Sequence, residues 1–273
     1  MDEKTALVET GCPAQIQDIH RAFEKLGYDI GLLSYIIPTH VHIDHGGAAG
    51  HLARQLPQAR VIAHRKSAKL FSDPMVLDKL MQGFKRTFGD DAEEKYGRMI
   101  PVPDESFLLV ADGESISLGR RTLQAIQTPG HDPNHLCFLD TMSRGLFCGD
   151  ALGSYFSEID VTMPSSAPAT DPFLTLQSIT KLQRIKPEIL FFSHGCATTQ
   201  ATEIIQRFAE DTRQCADVAL KAYEAGETEE IIARKLVEVL AMNSGKARAD
   251  LLAWPYLIPT LVEGYRQYFK KKK

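Results

Sequence analysis

Short apolar runs alternate along the chain with stretches of helical spacing. Thr5 to Val8 reads as a strand that breaks at Gly11. Residues 13 to 27 then place Ile16, Ile19, Phe23 and Leu26 on one helical face, with Gly27 as the stop. Leu32 to Ile37 predicts a buried strand cut off by Pro38, followed by a short helix over Gly47 to Leu56 and a strand over Arg60 to Ala63. Residues 65 to 100 carry helical spacing and many charges, and so long a segment between strands is more often functional than idle. Five short strands follow, at Ser106 to Val110, Ser115 to Leu118, Thr122 to Gln127, His135 to Leu139 and Gly145 to Cys148. Asp112-Gly113, Gly119-Arg120 and Ser143-Arg144-Gly145 mark turns between them. Pro172 to Ile185 is an amphipathic helix and Ile189 to Phe192 a buried strand. From about Thr202 onward almost everything is helical, including Glu229 to Met242 and Ile258 to Phe269. The alternation predicts an α/β architecture.

Composition narrows the class. Hydrophobic residues make up 44% of the 273 and charged residues 24%, as in an ordinary globular protein. No apolar run approaches the roughly 18 residues that cross a bilayer, so no membrane partner is expected. The start, Met1-Asp2-Glu3-Lys4, lacks the basic-then-apolar layout of a secretory signal. Five scattered cysteines (Cys12, Cys137, Cys148, Cys196 and Cys215) predict reduced thiols, and together these features predict a cytoplasmic protein. A net charge of −4 argues against a nucleic-acid partner, and the run from Lys270 to Lys273 reads as a solvated tail.

The chemistry begins where the strand ending at Ile37 runs into Pro38-Thr39-His40-Val41-His42-Ile43-Asp44-His45. Residues two apart in an extended segment point to the same side, so His40 and His42 can grip one ion together. Asp44 and His45 fall where the chain turns into Gly46-Gly47 and aim elsewhere, which suits two adjacent ions better than one. A surface cluster of histidines is the bland alternative. Against it stand three downstream partners, each a ligand-type residue beside a glycine at the end of an apolar strand. These are His131 in Thr128-Pro129-Gly130-His131, Asp150 in Cys148-Gly149-Asp150 and His194 in Ser193-His194-Gly195.

In that order the motifs H-x-H-x-D-H, T-P-G-H, G-D and S-H-G resemble the metal motifs of the metallo-β-lactamase superfamily, over residues 40 to 195. The resemblance implies a four-layer αββα sandwich with a C-terminal helical extension: a domain over 1–200, with a helical insertion at about 65–100, and a helical region over 201–273 packed on it. It also implies a first ion held by His40, His42 and His131, a second by Asp44, His45 and His194, and Asp150 bridging them. Asp44 and Asp150 would be the catalytic carboxylates. Nitrogen and carboxylate donors without thiolate fit two divalent ions, zinc foremost, with iron or manganese compatible. Two such ions about 3.5–4 Å apart can share a hydroxide that is nucleophilic near neutral pH. Flavodiiron members resemble H-x-E-x-D, so His42 favours the hydrolase branch.

The expected function is hydrolysis of a small-molecule ester, thioester or lactone, as in glyoxalase-II-like and lactonase-like members. An iron-dependent persulfide dioxygenase is the alternative, and a phosphodiesterase or nuclease a weaker one. The pattern departs from the superfamily in two places. Its usual D-T-G turn reads Glu9-Thr10-Gly11 here, which puts the glutamate's hydrogen bond to the metal loop in doubt. Many hydrolases of this fold have a glycine before the second histidine of T-P-G-H-D-P-N-H, where this chain has Asn134. His135 is therefore open to a role supporting the ligands from behind, a substrate-facing role, or a buried, backbone-bonded one. His135, Tyr155, Phe84 and Trp254 are the substrate-binding candidates. Phe71, Met75 and Phe88 are further candidates for the groove wall. His20, His51 and His64 read as structural or exposed, and Cys196 is either packed and inert or near the groove. The C-terminal helices are expected to border the groove and to contribute to a homodimer.

Overall fold

The computed structural model describes residues 4–165, 167, 170–245 and 257–272. By compactness the chain forms two units, one of residues 1–127 and 136–142, the other of residues 128–135 and 143–273.

In the first unit, β1 (Thr5–Val8), β2 (Leu33–Ile37), β3 (Arg60–His64) and β4 (Phe107–Val110) form a sheet in that order, each pair parallel. Parallel neighbours need long crossovers, and helices supply them. These are α1 (Ile16–Lys25), α2 (Ile43–Gly46), α3 (Ala49–Gln55), α4 (Arg65–Ser72), α5 (Pro74–Phe88) and α6 (Ala92–Tyr96). Leu33, Ile36 and Val61 pack with Leu52, Phe71 and Leu77 in one apolar core. The segment at 65–100 is thus helical. Asp73 starts its longest helix by accepting hydrogen bonds from Met75 N and Val76 N at 2.8 and 3.4 Å, with Pro74 behind it and Gly89 (φ 99°) as the stop. Leu26 departs from expectation. It is 70% exposed, because α1 ends at Lys25 and Gly27 takes a left-handed φ of 71°, so only Ile16, Ile19 and Phe23 reach the core. The unit is completed by the antiparallel strands β5 (Ser115–Ser117), β6 (Thr122–Gln127) and β7 (Leu136–Asp140).

In the second unit, β8 (Gly145–Phe147) runs parallel to β11 (Ile189–Phe191), which pairs antiparallel with β12 (Ala197–Thr198). Between them lies a hairpin of β9 (Gly153–Phe156) and β10 (Val161–Pro164). The helices are α7 (Pro172–Ile185), α8 (Ala201–Glu224), α9 (Glu229–Ser244) and α10 (Leu257–Lys272). Val161 and Met163 of β10 share a core with Cys215 of α8, Leu236 and Leu240 of α9 and Leu261, Tyr265 and Phe269 of α10. The C-terminal helices therefore belong to the core of the same unit as β8 to β12. Among the described residues no helix is long and apolar enough to cross a membrane.

One buried carboxylate in this core makes a stability prediction. Asp211 is 4% exposed and accepts hydrogen bonds from Thr162 Oγ1 and, at 2.8 Å, from Asn243 Nδ2. Burial holds its carboxyl above the ordinary range of 3.8 despite those donors. Folding thus favours the neutral acid; the stability this contributes is present below the ordinary value and is lost as pH rises through the raised one. Asp211→Asn keeps an acceptor for Asn243 and removes the desolvated charge. It is expected to raise Tm at pH 7 by about 2–4 °C, the shift produced by about 1 kcal/mol, and to leave Tm unchanged at pH 3. Melting curves across pH 3–8 check both halves.

Candidate metal centre

In the first unit, Pro38 ends β2 and the chain continues through His40 and His42 in loop conformation before α2 begins at Ile43. His40 Nε2 lies 2.9 Å from His42 Nδ1. Asp44 and His45 sit in the first turn of α2, with His45 Nε2 3.6 Å from Asp44 Oδ2. His40 and His45 are buried, and His42 and Asp44 half-buried. The two glycines that follow are dictated by packing. A Cβ on Gly46 would lie 2.5 Å from the Phe71 ring and 2.8 Å from His40 O, and one on Gly47 2.0 Å from Ile43 O. Phe71 thus packs from α4 against Gly46 at the end of α2 and is only 2% exposed.

The turn Glu9-Thr10-Gly11 braces this loop. Thr10 N and Thr10 Oγ1 both donate to His45 O, at 2.8 and 2.9 Å, and Ala48 N donates to Gly11 O at 3.0 Å. The longer glutamate does reach the loop. Glu9 Oε1 accepts from His45 Nδ1 at 3.0 Å and from Thr39 Oγ1 at 2.7 Å, and Oε2 accepts from Thr39 N at 3.3 Å. Cys12 is buried close by, and burial first, then the charge of Asp44, pushes its thiol up to about 11, so it is inert at neutral pH.

In the second unit, Gly130 holds a φ of 148°, and a Cβ there would sit 2.7 Å from Thr175 Cα on α7. The close approach is secured by Asp171 N donating to Gly130 O at 2.8 Å. It leaves His131 buried, its Nδ1 2.9 Å from Ser165 Oγ. His131 Nε2 then lies 3.4 Å from Asp150 Oδ2, while His194 Nε2 lies 3.4 Å from Asp150 Oδ1. Each carboxylate oxygen faces a different imidazole. His135 is fully buried, with both ring nitrogens engaged: Nε2 accepts from Asp150 N at 3.1 Å, so Nδ1 carries the proton and donates to Thr128 Oγ1 at 2.9 Å. It supports Asp150 from behind.

These donors suit divalent ions. Two ligand atoms on one tetrahedral ion, each bonded at about 2.0–2.1 Å, lie about 3.3 Å apart. The separations of 3.4 Å about Asp150 match that edge and are long for hydrogen bonds between charged groups. His40, His42, Asp44 and His45 in one unit, and His131, Asp150 and His194 in the other, all offer metal-binding atoms without a thiolate among them.

The family model described as the metallo-beta-lactamase superfamily matches residues 2–194. The chain belongs to the metallo-β-lactamase superfamily. Its fold is the expected one: the crystal structure of the superfamily protein ST1585 from Sulfolobus tokodaii superposes with a TM-score of 0.64 at 24% identity, over 90% of each chain. In sequence the chain is 31% identical to the metallo-beta-lactamase fold-containing protein ST1585 of Sulfurisphaera tokodaii over 60% of this chain and 60% of that one. It is 30% identical to a hydroxyacylglutathione hydrolase of Francisella tularensis subsp. novicida over 57% of this chain and 48% of that one. It is 25% identical to the atrochrysone carboxyl ACP thioesterase of Aspergillus fumigatus over 64% of this chain and 42% of that one. The matches thus span about half the length of these curated relatives. The superfamily includes hydrolases, among them the hydroxyacylglutathione hydrolase and the thioesterase that this chain resembles.

The substrate-facing candidates of this superfamily member are placed as follows. The Tyr155 hydroxyl donates to Asp160 Oδ1 at 2.9 Å, and burial, then that bond, pushes it up to about 12. Phe84 packs with Phe88 and Tyr96 at ring separations of 4.4 and 5.0 Å, and Met75 is 69% exposed. Trp254 lies outside the described residues. Cys196 is partly buried, its thiol 3.5 Å from Tyr155 O. His51 meets Arg98 O at 2.9 Å, His20 meets Gln55 at 3.3 Å, and His64 caps α4 by accepting from Lys66 N at 3.3 Å, all outside the two ligand clusters. Ser165 and Thr128 are orienting residues that sequence reasoning left unassigned, and Glu9 is one whose hydrogen bond to the loop it left in doubt. Glu9 had a signal, its place in the E-T-G turn; Ser165 had none, since only the fold brings it to His131.

Proposed function

We propose that the chain is a dinuclear metal-dependent hydrolase acting on a small ester, thioester or lactone. The observation that carries this reading is Asp150, whose two oxygens face His131 and His194 separately. A carboxylate shared by two ions would face its partners in this way, which supports the reading. On the order of the superfamily motifs, His40, His42 and His131 hold one ion, and Asp44, His45 and His194 the other. When bound, the ions supply Lewis acidity and a water acidic enough to attack near neutral pH. The chain's own residues set the geometry. His135 fixes the backbone at Asp150, Ser165 turns His131, and the turn Glu9-Thr10-Gly11 pins the loop of His45. A cytoplasmic location and zinc belong to the same proposal, as does a small molecule, rather than nucleic acid, as substrate.

Elemental analysis of protein expressed in metal-replete medium is expected to find close to two ions per chain, zinc first. Turnover should appear in a panel of ester, thioester, lactone and phosphodiester substrates and should vanish on chelation. One iron per chain with no hydrolysis would overturn the reading in favour of an iron-dependent oxygenase.

A further inference from the structure

Glu9 occupies a position that ordinary backbone energetics would give to glycine. Its φ is 65°, in the left-handed region, which costs an L-residue with a Cβ roughly 1–2 kcal/mol. The backbone there has little freedom to adjust. Glu9 N donates to Ile37 O at 3.0 Å, and the next residue is tied twice to His45 O. From this fixed point the side chain reaches two places with one oxygen, Oε1, which receives His45 Nδ1 and Thr39 Oγ1.

Proton accounting then fixes two imidazoles. A carboxylate only accepts, so His45 carries its proton on Nδ1 and leaves the Nε2 lone pair for an ion. The Thr39 hydroxyl has one proton, and at 2.7 Å it is given to Glu9 Oε1. Thr39 Oγ1 must therefore accept from His40 Nδ1, 3.0 Å away, which puts the lone pair of His40 on Nε2, the nitrogen that lies 2.9 Å from His42 Nδ1. We infer that Glu9 is a positioning residue for two ligands at once, directly for His45 and through Thr39 for His40. We infer also that aspartate is not equivalent to it here. The inference rests on the reading above, in which those two histidines serve different ions. An aspartate arm is about 1.5 Å shorter. With the backbone held from both sides, it cannot meet Thr39 and His45 together.

The test compares the full-length chain with Glu9→Gln, Glu9→Asp, Thr39→Val and Thr39→Ser. Each protein is stripped of metal and titrated with Zn2+ against a competing chelator to resolve two binding steps. Cobalt substitution then reports ligand geometry through its visible absorption. Loss of an outer partner typically weakens metal binding 10–100-fold. Glu9→Gln is therefore expected to weaken both steps about tenfold or more, and Glu9→Asp at least one of them by the same factor. Thr39→Val should weaken one step only, Thr39→Ser should restore it, and the cobalt spectrum should change in every weakened variant. Glu9→Asp binding both ions with wild-type affinity would overturn the proposal, as would Thr39→Val weakening both steps equally. A purely structural role would lower the melting temperature of the metal-free protein while leaving affinities and cobalt spectrum unmoved, and that result overturns it too. If the wild type takes up no ion, the metal reading itself falls, and the two failures are told apart because all five proteins then behave alike.

Discussion

Replacing Asp150 with alanine is expected to cut turnover at least a thousandfold and to leave no more than one ion per chain. The proposed bridging role would ask one side chain to satisfy two cations and to offset their mutual repulsion, so its loss would not be shared among neighbours. A thousandfold corresponds to about 4 kcal/mol of transition-state stabilisation. The fold should survive, because the substitution leaves the Asp150 backbone N–H in place to donate to His135 Nε2 at 3.1 Å. Metal-free Asp150→Ala should melt within a few degrees of the metal-free wild type. Unchanged turnover would show that Asp150 is not a ligand. His135→Ala is the informative contrast. It removes the acceptor for Asp150 N and the partner of Thr128, and should reduce turnover while both ions remain. A His135→Ala protein that takes up fewer ions than the wild type even at saturating zinc would overturn the ligand assignment, since loss of an outer partner only weakens binding.

Truncation after about residue 200 is expected to abolish soluble expression as well as activity. The cut removes α8, α9 and α10, which supply most of the apolar core around Val161 and Met163. Each fully buried leucine, isoleucine or phenylalanine contributes about 1.5–3 kcal/mol. Ile232, Leu236, Leu240, Ile258, Leu261 and Phe269 are all buried, and together they contribute about as much as the roughly 5–15 kcal/mol by which a domain is ordinarily stable. The β9–β10 hairpin, left with one face in water, would lose its support and with it Ser165, which orients His131. A soluble and active fragment of residues 1–200 would refute this account. The oligomeric state of the full chain, measured by sedimentation, decides separately whether the same helices also form the proposed homodimer.

The parts of the fold that were legible in the sequence are those whose signal is local. Helix α7 begins at Asp171-Pro172 and strand β6 spans Thr122–Gln127, both where periodicity and breakers put them. The histidine loop and its three partners were readable because glycine and proline isolate each ligand-type residue at a strand end. The β9–β10 hairpin was not legible. Its strands are four residues each, one starts with Gly153 and the other ends with Pro164, and the chain turns at Asp160 with a φ of 53°. Nothing in that composition has a period. Met75 lies exposed in the first turn of α5, a placement that apolar spacing does not specify. An apolar side chain at a helix start is placed by where the preceding loop leads rather than by spacing. Outer-sphere partners such as Ser165 and Thr128 are invisible for a simpler reason. A serine or threonine becomes an orienting group only when distant backbone delivers it to an imidazole.

The left-handed glutamate has a consequence for anyone improving this protein in the laboratory. A screen that rewards thermal robustness alone, run without metal, would favour glycine or asparagine at position 9, since either relaxes the backbone there. The winners would be hardier folds whose histidines had lost their common anchor. Sequence collections assembled from such screens would then read position 9 as tolerant, although its tolerance belongs to the scaffold and not to the chemistry. Selection pressure on this scaffold therefore has to include metal retention from the first round.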